Sequence, residues 1–354
     1  MNKDTRPLMV TIQCLTFNHE PYIRQCLDGF VMQKTNFRFE AVVHDDASTD
    51  GTAAIVREYA EKYPDIIKPI LETENQYSKG DGTLGRIMAE NREGKYIAIC
   101  EGDDYWIDPL KLQKQVDYME DHPDCTMTCT RAKYFLDTQN RFLGELYCRK
   151  SDGILDPVDV ICRTGYFIAT CSIVYRPCIR EEYPDYCYNC NVGDWPLQIM
   201  ASMKGYVYYI DEPMCVYRYM SKGSWSRTQE FGTVDPARLH IVDSQVKMFE
   251  GFSKDYPKYK QFFNDMKNYF VISNIPYWNT KKEDKLFYIN KFSYIIDSIP
   301  LKFRIYYFIC YLRIPGIKGL YKRIFLRKYR LKLLHYDNTF KRVLKKIQRY
   351  IKMY

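Results

Sequence analysis

No stretch of this 354-residue sequence approaches the run of about 20 apolar residues that a membrane-spanning helix requires. The nearest candidate, residues 305–312, is closed at its two ends by Arg304 and Arg313. A secretory signal is missing as well, because the polar residues 2–7 follow Met1 directly. We therefore expect a protein that is made and kept in the cytosol.

The sequence also lacks the signs of a disulfide framework. Its 13 cysteines are odd in number and scattered, and no secretion signal accompanies them, so reduced thiols are expected. Cys187 and Cys190 form an isolated CxxC pair, whereas a zinc site needs a second pair of ligands at a suitable spacing. Two thiols packed on a loop are the favoured interpretation.

Acidic residues are almost missing from the end of the chain. Residues 301–354 contain 16 Lys or Arg but one acidic residue, Asp337, although the net charge of the whole chain is only +8. Between residues 340 and 351 apolar side chains recur at helical spacing, and Lys or Arg fill the other face. This pattern favours an amphipathic helix on an anionic membrane surface. Packing against the rest of the protein is the second interpretation, and a nucleic-acid patch is the least favoured.

The first 135 residues alternate between strand and helix patterns. Strands are predicted at residues 8–17, 37–44, 66–71 and 96–100. The polar, glycine-containing residues 75–85 are predicted to be a loop. Such an alternation predicts an α/β fold with a mainly parallel sheet, and the pattern after Ser226 is helical.

The densest acidic group, Glu101, Asp103 and Asp104, follows the fourth predicted strand. Asp108 and Pro109 then suit the N-cap and the first position of a helix. Carboxylates crowded at the end of a buried strand repel one another, and a divalent cation is the natural counter-charge. We therefore expect a metal–diphosphate site at the carboxyl edge of the sheet, where open α/β sheets bind ligands. A turn that only caps the next helix is the alternative.

Three more polar clusters fall at the loop ends of predicted elements, at residues 15–20, 44–52 and 192–197. With the acidic group, in this order, they resemble the family 2 glycosyltransferases, which have the GT-A fold. The most specific parts are Asp-Asp-x-Ser-Thr-Asp-Gly-Thr from Asp45 and Glu-Gly-Asp-Asp-Tyr-Trp from Glu101.

This resemblance covers residues 8–226 and implies a Rossmann-like α/β fold, a mainly parallel mixed sheet flanked by helices. The expected organisation is a GT-A catalytic domain at 1–226, a helical extension at 227–300 and a basic amphipathic helical tail at 301–354.

The resemblance also implies a set of donor-binding residues. Phe17 stands where the family usually has Tyr, whose ring lies near the nucleotide base. Asp45 and Asp46 occupy the base-recognition position, where a carboxylate accepts from the ring N–H of uracil, and Arg86 lies where relatives often carry an Arg near the diphosphate. The implied nucleotide-sugar-binding residues are Thr16, Phe17, Asn18, Asp45, Asp46, Arg86 and Asp103. A helix N-cap region for the two aspartates and a surface position for Arg86 are the alternatives.

Asp103 and Asp104 match the family's DXD-type metal motif, which implies Mn²⁺ or Mg²⁺ as cofactor. Glu101 is the first acidic member, where many relatives have Asp. Asp194 resembles the catalytic base, with Gly193 in place of the usual preceding acidic residue. An N-cap for the following helix is the alternative role of Asp194, and the two roles are compatible.

Met220 stands where many relatives have a His, so Arg218 or Lys222 would have to support the metal or diphosphate instead. The Gln-x-x-Arg-Trp motif of the processive synthases is absent, which favours transfer of one sugar per encounter.

The resemblance implies an inverting glycosyltransferase that moves a sugar from a nucleotide-diphosphate sugar to a hydroxyl of a surface polysaccharide or glycolipid. The acceptor is expected to be a glycan or a lipid-linked molecule. The protein is expected to lie at the inner face of the cell membrane, and nucleic acid is not an expected partner. A nucleotidyltransferase is a weaker alternative, since no Gly-rich basic triphosphate loop follows the first strand. A catalytically dead sugar-binding relative is the non-enzymatic alternative.

Overall fold

The computed structural model of the protein describes residues 5–80, 82–163, 167–190, 192–224, 236–273 and 290–298. The chain divides into two compact units. The first comprises Met1–Pro157, Gly165–Tyr183 and Leu197–Phe231, and the second comprises Val158–Thr164, Pro184–Pro196 and Gly232–Tyr354. The predicted basic tail lies outside the described residues, and the predicted division at residues 226 and 300 stays a prediction.

The first unit is built on one mixed sheet. Its strands are β1 (Leu8–Thr16), β2 (Arg38–Asp45), β3 (Ile67–Leu71), β4 (Tyr96–Ile99), β5 (Tyr105–Trp106), β6 (Cys125–Leu136), β7 (Arg141–Leu146), β8 (Gly153–Ile154), β9 (Val174–Tyr175) and β10 (Tyr206–Tyr219). The order across the sheet is β3-β2-β1-β4-β9-β6-β10-β5, with β7 beside β6 and β8 beside β10. Strands β3, β2, β1 and β4 run parallel, as do β6 and β10, and the other pairs are antiparallel.

The helices include short ones between longer core elements. In chain order they are α1 (Ile23–Val31), α2 (Thr52–Lys62), α3 (Thr83–Glu90), α4 (Lys111–Asp121), α5 (Pro157–Cys162), α6 (Cys178–Glu181), α7 (Asp185–Tyr188), α8 (Asp194–Lys204), α9 (Pro236–Asp255), α10 (Lys260–Ser273) and α11 (Ser293–Ser298). The predicted alternation of strands and helices is confirmed, and so is the helical character of the described residues after 235. None of the helices in the described ranges has the length and apolar run that a membrane crossing requires.

Strand β1 shows why the sheet is mainly parallel here. Val10, Thr11, Ile12 and Cys14 are all fully buried, as expected for a strand that is covered on both faces. Its register pairs Thr16 with Asp45 at the end of β2. Because parallel strands end at the same edge, the polar residues that follow β1, β2 and β4 meet there.

Helix α1 lies against β5 through a glycine. A Cβ atom on Gly29 would lie 2.9 Å from the backbone nitrogen of Trp106, closer than real Cβ contacts allow. The buried side chains of Leu27 and Phe30 complete this face, and the Phe30 and Trp106 rings meet edge to face at 5.0 Å. This packing fixes the strand that follows the acidic residues.

The second unit has an aromatic core. Trp195 meets Phe249 edge to face at 5.1 Å, and Phe252 stacks on Phe263 at 5.3 Å. Cys187 and Cys190 are buried free thiols, and the Gln245 amide donates to the Cys190 sulfur at 3.3 Å. Burial raises the pKa of Cys190 to about 12 and that of Cys187 as well. The predicted reduced, packed thiols are confirmed, although Cys187 lies in α7 and not on a loop.

Two local predictions were wrong at element boundaries. The loop predicted at residues 75–85 ends earlier, because α3 begins at Thr83 after Gly82, whose φ of +81° glycine tolerates. Asp108 is not the N-cap of α4, which is Leu110. Instead the Asp108 carboxylate accepts a hydrogen bond from the Leu110 N–H at 2.8 Å, in the turn before the helix.

A lysine without solvent contact lies at the start of α4. Lys111 is fully buried; its Nζ donates to Gln115 Oε1 at 2.7 Å and lies 4.2 Å from the centre of the Trp106 ring. Burial lowers the pKa of Lys111 to about 8. Since the unfolded chain keeps an ordinary lysine pKa near ~10.4, it binds more protons than the folded protein between these pH values. This lysine therefore costs stability at neutral pH, and the cost disappears as the pH rises from 8 to 10.

Replacing Lys111 by Met should therefore raise the free energy of unfolding at pH 7 by about 1–3 kcal/mol, because the buried charge is removed. The advantage of this variant over the unsubstituted protein should shrink as the pH rises to 10. Urea denaturation at several pH values measures both effects, with the exposed Lys62→Met as the control. An advantage that stays constant with pH would contradict the titration of Lys111.

Candidate active site

The acidic residues 101–104 form a tight turn between β4 and β5. The Asp104 N–H donates to the Glu101 carbonyl at 3.0 Å, and the Gly102 N–H donates to the Leu15 carbonyl at 2.9 Å. A Cβ on Gly102 would lie only 2.5 Å from Thr16 Oγ1, so this position requires glycine. The turn is thereby fastened to the end of β1. We call residues 101–104 the acidic turn.

Asp103 faces the end of β10. Its Oδ2 accepts a hydrogen bond from the Ser221 hydroxyl at 2.5 Å, and its backbone carbonyl accepts one from the Arg218 guanidinium at 2.8 Å. Asp103 is 6% exposed, and its Oδ1 accepts no hydrogen bond from the described residues, yet it is not an enclosed atom. One oxygen of this carboxylate is therefore held by Ser221, and the other has no hydrogen-bond partner among the described residues.

Asp104 has different surroundings from its neighbour. It is 1% exposed, its Oδ1 accepts the backbone N–H of Arg218 at 2.7 Å, and its enclosed Oδ2 has no hydrogen-bond partner among the described residues. Burial and the charge of Asp103 raise the pKa of Asp104 well above its usual value. A cation bound beside the two carboxylates would oppose this shift, because it favours their charged forms. The Asp104 side chain thus ties the acidic turn to β10, and its role as a metal ligand stays a prediction.

Arg218 is part of the turn's support. The guanidinium also donates to Gln25 Oε1, and it lies 4.6 Å from the Tyr105 ring centre and 5.1 Å from that of Tyr22. It thus lies between two aromatic rings while bonding the backbone of Asp103. Arg218 and Lys222 were the two residues suggested in place of the His that relatives have at position 220. Arg218 is the one that contacts the acidic turn.

Three of the predicted donor-binding residues follow or end β1. Thr16 is buried, with its hydroxyl 3.2 Å from His19 Nδ1, whereas the Phe17 side chain is 40% exposed and thus open to a ligand. Asn18 has a left-handed φ of +54°, and its side-chain oxygen accepts the Thr49 N–H at 2.8 Å. Asn18 therefore joins the loops after β1 and β2.

His19 was missed by the sequence reasoning. Burial lowers the pKa of His19, although the nearby carboxylates of Asp103, Asp50 and Asp45 oppose this shift. A neutral imidazole beside the acidic turn is the result. The sequence signal was the Thr-Phe-Asn-His-Glu run itself, which offered no way to tell His19 from its neighbours.

The two aspartates after β2 hold loops. Asp45 Oδ1 accepts the Ser48 hydroxyl at 2.5 Å and its Oδ2 the Ser48 N–H at 3.1 Å. Asp46 accepts the N–H groups of Gln76 and Tyr77 through its two oxygens, at 2.6 and 3.0 Å. Both side chains are nearly fully buried. The structure brings both aspartates to the carboxyl edge of the sheet. Their carboxylate oxygens already accept hydrogen bonds that hold the loops, so a ligand would have to bind to the same oxygens.

The loop that Asp46 holds carries an exposed aromatic ring. Tyr77 is 65% exposed although its backbone is fixed by Asp46. Sequence reasoning did not single out Tyr77, because its segment was predicted only as an irregular loop. Arg86 is exposed on the first turns of α3, with its guanidinium donating to the Thr83 hydroxyl at 2.6 Å.

Asp194 belongs to the second unit and is the first residue of α8. The next residue, Trp195, is buried, and its indole N–H donates to the Val160 carbonyl at 3.2 Å. This anchor fixes the beginning of the helix, while Asp194 itself is partly exposed. The structure is compatible with a carboxylate at a helix start, and the role of Asp194 as catalytic base stays a prediction.

The residues of the acidic turn can be tested for fit to a divalent cation. No group of three or more His, Cys, Asp or Glu side chains converges in the described part of the chain. Magnesium sites for diphosphate substrates, however, usually take one or two carboxylates, with substrate oxygens and water completing the shell. The Asp103 carboxylate, whose Oδ1 has no hydrogen-bond partner among the described residues, fits that arrangement, and the Asp104 carboxylate beside it is the second candidate.

Comparison with known proteins finds a family model that matches part of the chain. Residues 12–177 match the family model described as Glycosyl transferase family 2. An uncharacterized protein of Mycobacterium tuberculosis (strain ATCC 25618 / H37Rv) is 37% identical over 218 residues, 61% of this chain and 60% of that protein. The chain thus spans less than two thirds of the length of this relative.

The enzyme poly(ribitol-phosphate) beta-N-acetylglucosaminyltransferase TarS of Staphylococcus aureus (strain Mu50 / ATCC 700699) is 32% identical over 108 residues. These residues are 30% of this chain and 18% of TarS.

Two solved structures show the fold. The crystal structure of S. aureus TarS 1-349 in complex with UDP-GlcNAc has a TM-score of 0.66 and 15% identity, covering 91% of this chain and 92% of that one. The mannosyltransferase PcManGT from Pyrobaculum calidifontis, in complex with GDP-Man and Mn²⁺, has a TM-score of 0.51 and 16% identity, covering 97% and 87%. The expected fold class is confirmed, because the chain has the fold of these glycosyltransferase structures, and residues 12–177 match the family 2 model.

Proposed function

We propose that this chain is an inverting glycosyltransferase that uses a nucleotide-diphosphate sugar and a hydroxyl acceptor in surface polysaccharide or glycolipid synthesis. The observation that carries the proposal is Asp103 at the carboxyl edge of the sheet, whose Oδ2 is held by Ser221 while its Oδ1 has no hydrogen-bond partner among the described residues. Two findings support it: the match to the glycosyltransferase family model, and the similarity of fold to TarS, whose structure was solved in complex with UDP-GlcNAc.

In this proposal the acidic turn binds the donor diphosphate through Mn²⁺ or Mg²⁺. Asp103 would hold the cation through its Oδ1, and the bound cation would neutralise the charge that develops as the diphosphate leaves. The neutral His19 adds no charge beside this carboxylate. The Mn²⁺ complex of PcManGT supports the choice of metal, by similarity of fold.

The nucleoside is proposed to bind along the ends of β1 and β2. The exposed Phe17 ring would stack on the base, and Asp45 would accept from the base, since a carboxylate has about four acceptor positions and two are used by Ser48. Thr16 and Asn18 would shape this pocket from beneath, Asp46 would hold Tyr77 at its rim, and Arg86 would approach the diphosphate.

The acceptor hydroxyl is proposed to lose its proton to Asp194. As the hydroxyl oxygen attacks the anomeric carbon, the bond to the diphosphate breaks on the opposite face, which inverts the configuration. Helix α8, fixed by Trp195, would give this carboxylate a defined position. General-base catalysis of this kind contributes about 10²–10⁴-fold in rate.

The acceptor is proposed to be a surface glycan or a lipid-linked one that waits at the inner face of the membrane. TarS, by its name, modifies poly(ribitol phosphate), which supports an envelope polymer as acceptor class. The basic tail, 301–354, would bring the protein to anionic lipid.

Replacing Lys341, Lys345 and Arg349 together by Glu tests the role of this tail. Each basic residue near an anionic surface contributes about 1 kcal/mol, so vesicle affinity should fall on the order of 100-fold or more. Flotation with phosphatidylglycerol vesicles measures this, and a variant with the same charge change at Lys62, Lys68 and Lys254 is the control. Equal loss of binding in both variants would assign the attraction to net charge and not to the tail.

The function itself is tested by incubating the protein with a panel of nucleotide sugars, Mn²⁺ and membrane extract. The expected result is release of one nucleoside diphosphate with transfer of its sugar, suppressed by a chelator. Formation of pyrophosphate from a nucleoside triphosphate would indicate the nucleotidyltransferase alternative. Donor binding without any turnover would indicate the catalytically dead relative.

A further inference from the structure

The end of β10 and the residues just after it grip the acidic turn from one side. We call residues 218–221 the β10 end. Arg218 holds the backbone carbonyl of Asp103 at 2.8 Å, the Arg218 N–H holds the side chain of Asp104 at 2.7 Å, and the Ser221 hydroxyl holds Asp103 Oδ2 at 2.5 Å. Arg218 and Ser221 are both buried. Every one of these bonds joins the β10 end to an atom of the two aspartates.

Between the two gripping residues, Met220 has a left-handed backbone with φ of +65°. A non-glycine residue in this region costs on the order of 1 kcal/mol or more and persists only where surrounding structure enforces it. The Met220 side chain is buried and offers a thioether, which is a soft, weak acceptor and a poor ligand for Mg²⁺ or Mn²⁺. The strained residue therefore supplies no ligand of its own. Its left-handed φ shapes the backbone between Arg218 and Ser221.

We propose that Ser221 is the positioning residue that orients the Asp103 carboxylate for cation binding, so that the diphosphate site is completed without a ligand from position 220. This proposal rests on the proposed function and names a residue that it did not use. The Ser221 hydroxyl donates to Oδ2 and fixes the rotation of the carboxylate, which leaves Oδ1 without a hydrogen bond from the described residues. Groups that orient a metal-binding carboxylate typically change metal affinity by about 10–100-fold when removed.

The variant Ser221→Ala removes this hydrogen bond. The affinity for Mn²⁺ in the presence of a nucleoside diphosphate, measured from the free Mn²⁺ signal in electron paramagnetic resonance, should fall about 10–100-fold. Nucleotide affinity in the presence of EDTA should stay within about twofold, because no base contact is lost. Ser221→Thr keeps the hydroxyl and should recover most of the metal affinity.

A matched control is Ser202→Ala, which also removes a buried hydroxyl, one that bonds the Ile199 carbonyl at 2.8 Å within α8. It should leave metal affinity unchanged. Thermal unfolding is recorded for each variant, and Ser221→Cys, whose thiol is a weak donor, takes the place of the alanine variant if the latter does not fold.

The outcomes separate this inference from the function on which it rests. If the unsubstituted protein binds Mn²⁺ with a nucleoside diphosphate and the folded Ser221→Ala variant binds it equally well, the inference is overturned. If the unsubstituted protein binds the nucleotide equally well with Mn²⁺ and with EDTA, the proposed metal-dependent function itself is contradicted, whatever the Ser221 variants show. A loss of metal affinity in Ser202→Ala equal to that in Ser221→Ala would also overturn the positioning role.

Discussion

Replacing Asp103 by Asn is expected to reduce sugar transfer on the order of 10³-fold, because the carboxylate proposed to hold the cation loses its charge. The amide is nearly the same size and can still accept the Ser221 hydroxyl bond through its oxygen. The fold should therefore be retained, and the loss should appear in transfer rate and in metal-dependent donor binding. Initial rates with saturating Mn²⁺ measure the effect.

The matched control is Asp117→Asn on α4, where the carboxylate accepts only an exposed hydrogen bond from Gln113 at 2.7 Å. It should leave transfer unchanged. A folded Asp103→Asn variant with more than a tenth of the original rate would remove Asp103 from the account. Asp104→Asn should differ from it, since its main effect is on the thermal stability of the turn that Asp104 ties to β10.

The second large effect is expected for Asp194→Asn. Without a carboxylate to take the acceptor proton, kcat should fall about 10²–10⁴-fold. The affinity for the donor nucleotide should change by less than about twofold, because this residue acts on the acceptor. Asn has nearly the same size and shape as Asp, so the start of α8 should be preserved. Steady-state kinetics with calorimetric titration of the nucleotide separate the two quantities.

Asp185→Asn provides the comparison, since Asp185 is likewise the first residue of a helix in the second unit. It should transfer sugar at the original rate. If Asp194→Asn retained full kcat, the general base would have to be another group. Asp194 would then only stabilise the start of α8. A parallel fall in thermal stability would point to that structural role.

The sequence predicted the fold well where hydrophobic runs and polar clusters alternate. Strand β1, buried at consecutive positions, and the polar residues that follow it were both readable from the printed order of residues. The same holds for the acidic turn, because three acidic residues after an apolar strand are rare without a counter-charge. Parallel register then brings Thr16 and Asp45 together, as expected.

What the sequence could not reveal are bonds between residues far apart in the chain. Ser221 lies 118 positions from Asp103, and nothing local marks it as a partner of that carboxylate. For the same reason adjacent Asp103 and Asp104 looked equivalent, whereas burial and the Arg218 N–H give them different chemistry. The helix boundary at Lys111 was missed because the turn at Asp108 uses the same side-chain-to-backbone bond as a helix cap.

The central claim is that Asp103 and a divalent cation together hold the donor diphosphate. The decisive experiment is calorimetric titration of uridine and guanosine diphosphates into the 354-residue protein, with Mn²⁺ and then with EDTA. The account predicts binding of one nucleotide that weakens at least about tenfold on chelation, and an Asp103→Asn variant that no longer responds to Mn²⁺. Equal affinity with and without metal, or an undiminished metal response in that variant, would contradict it.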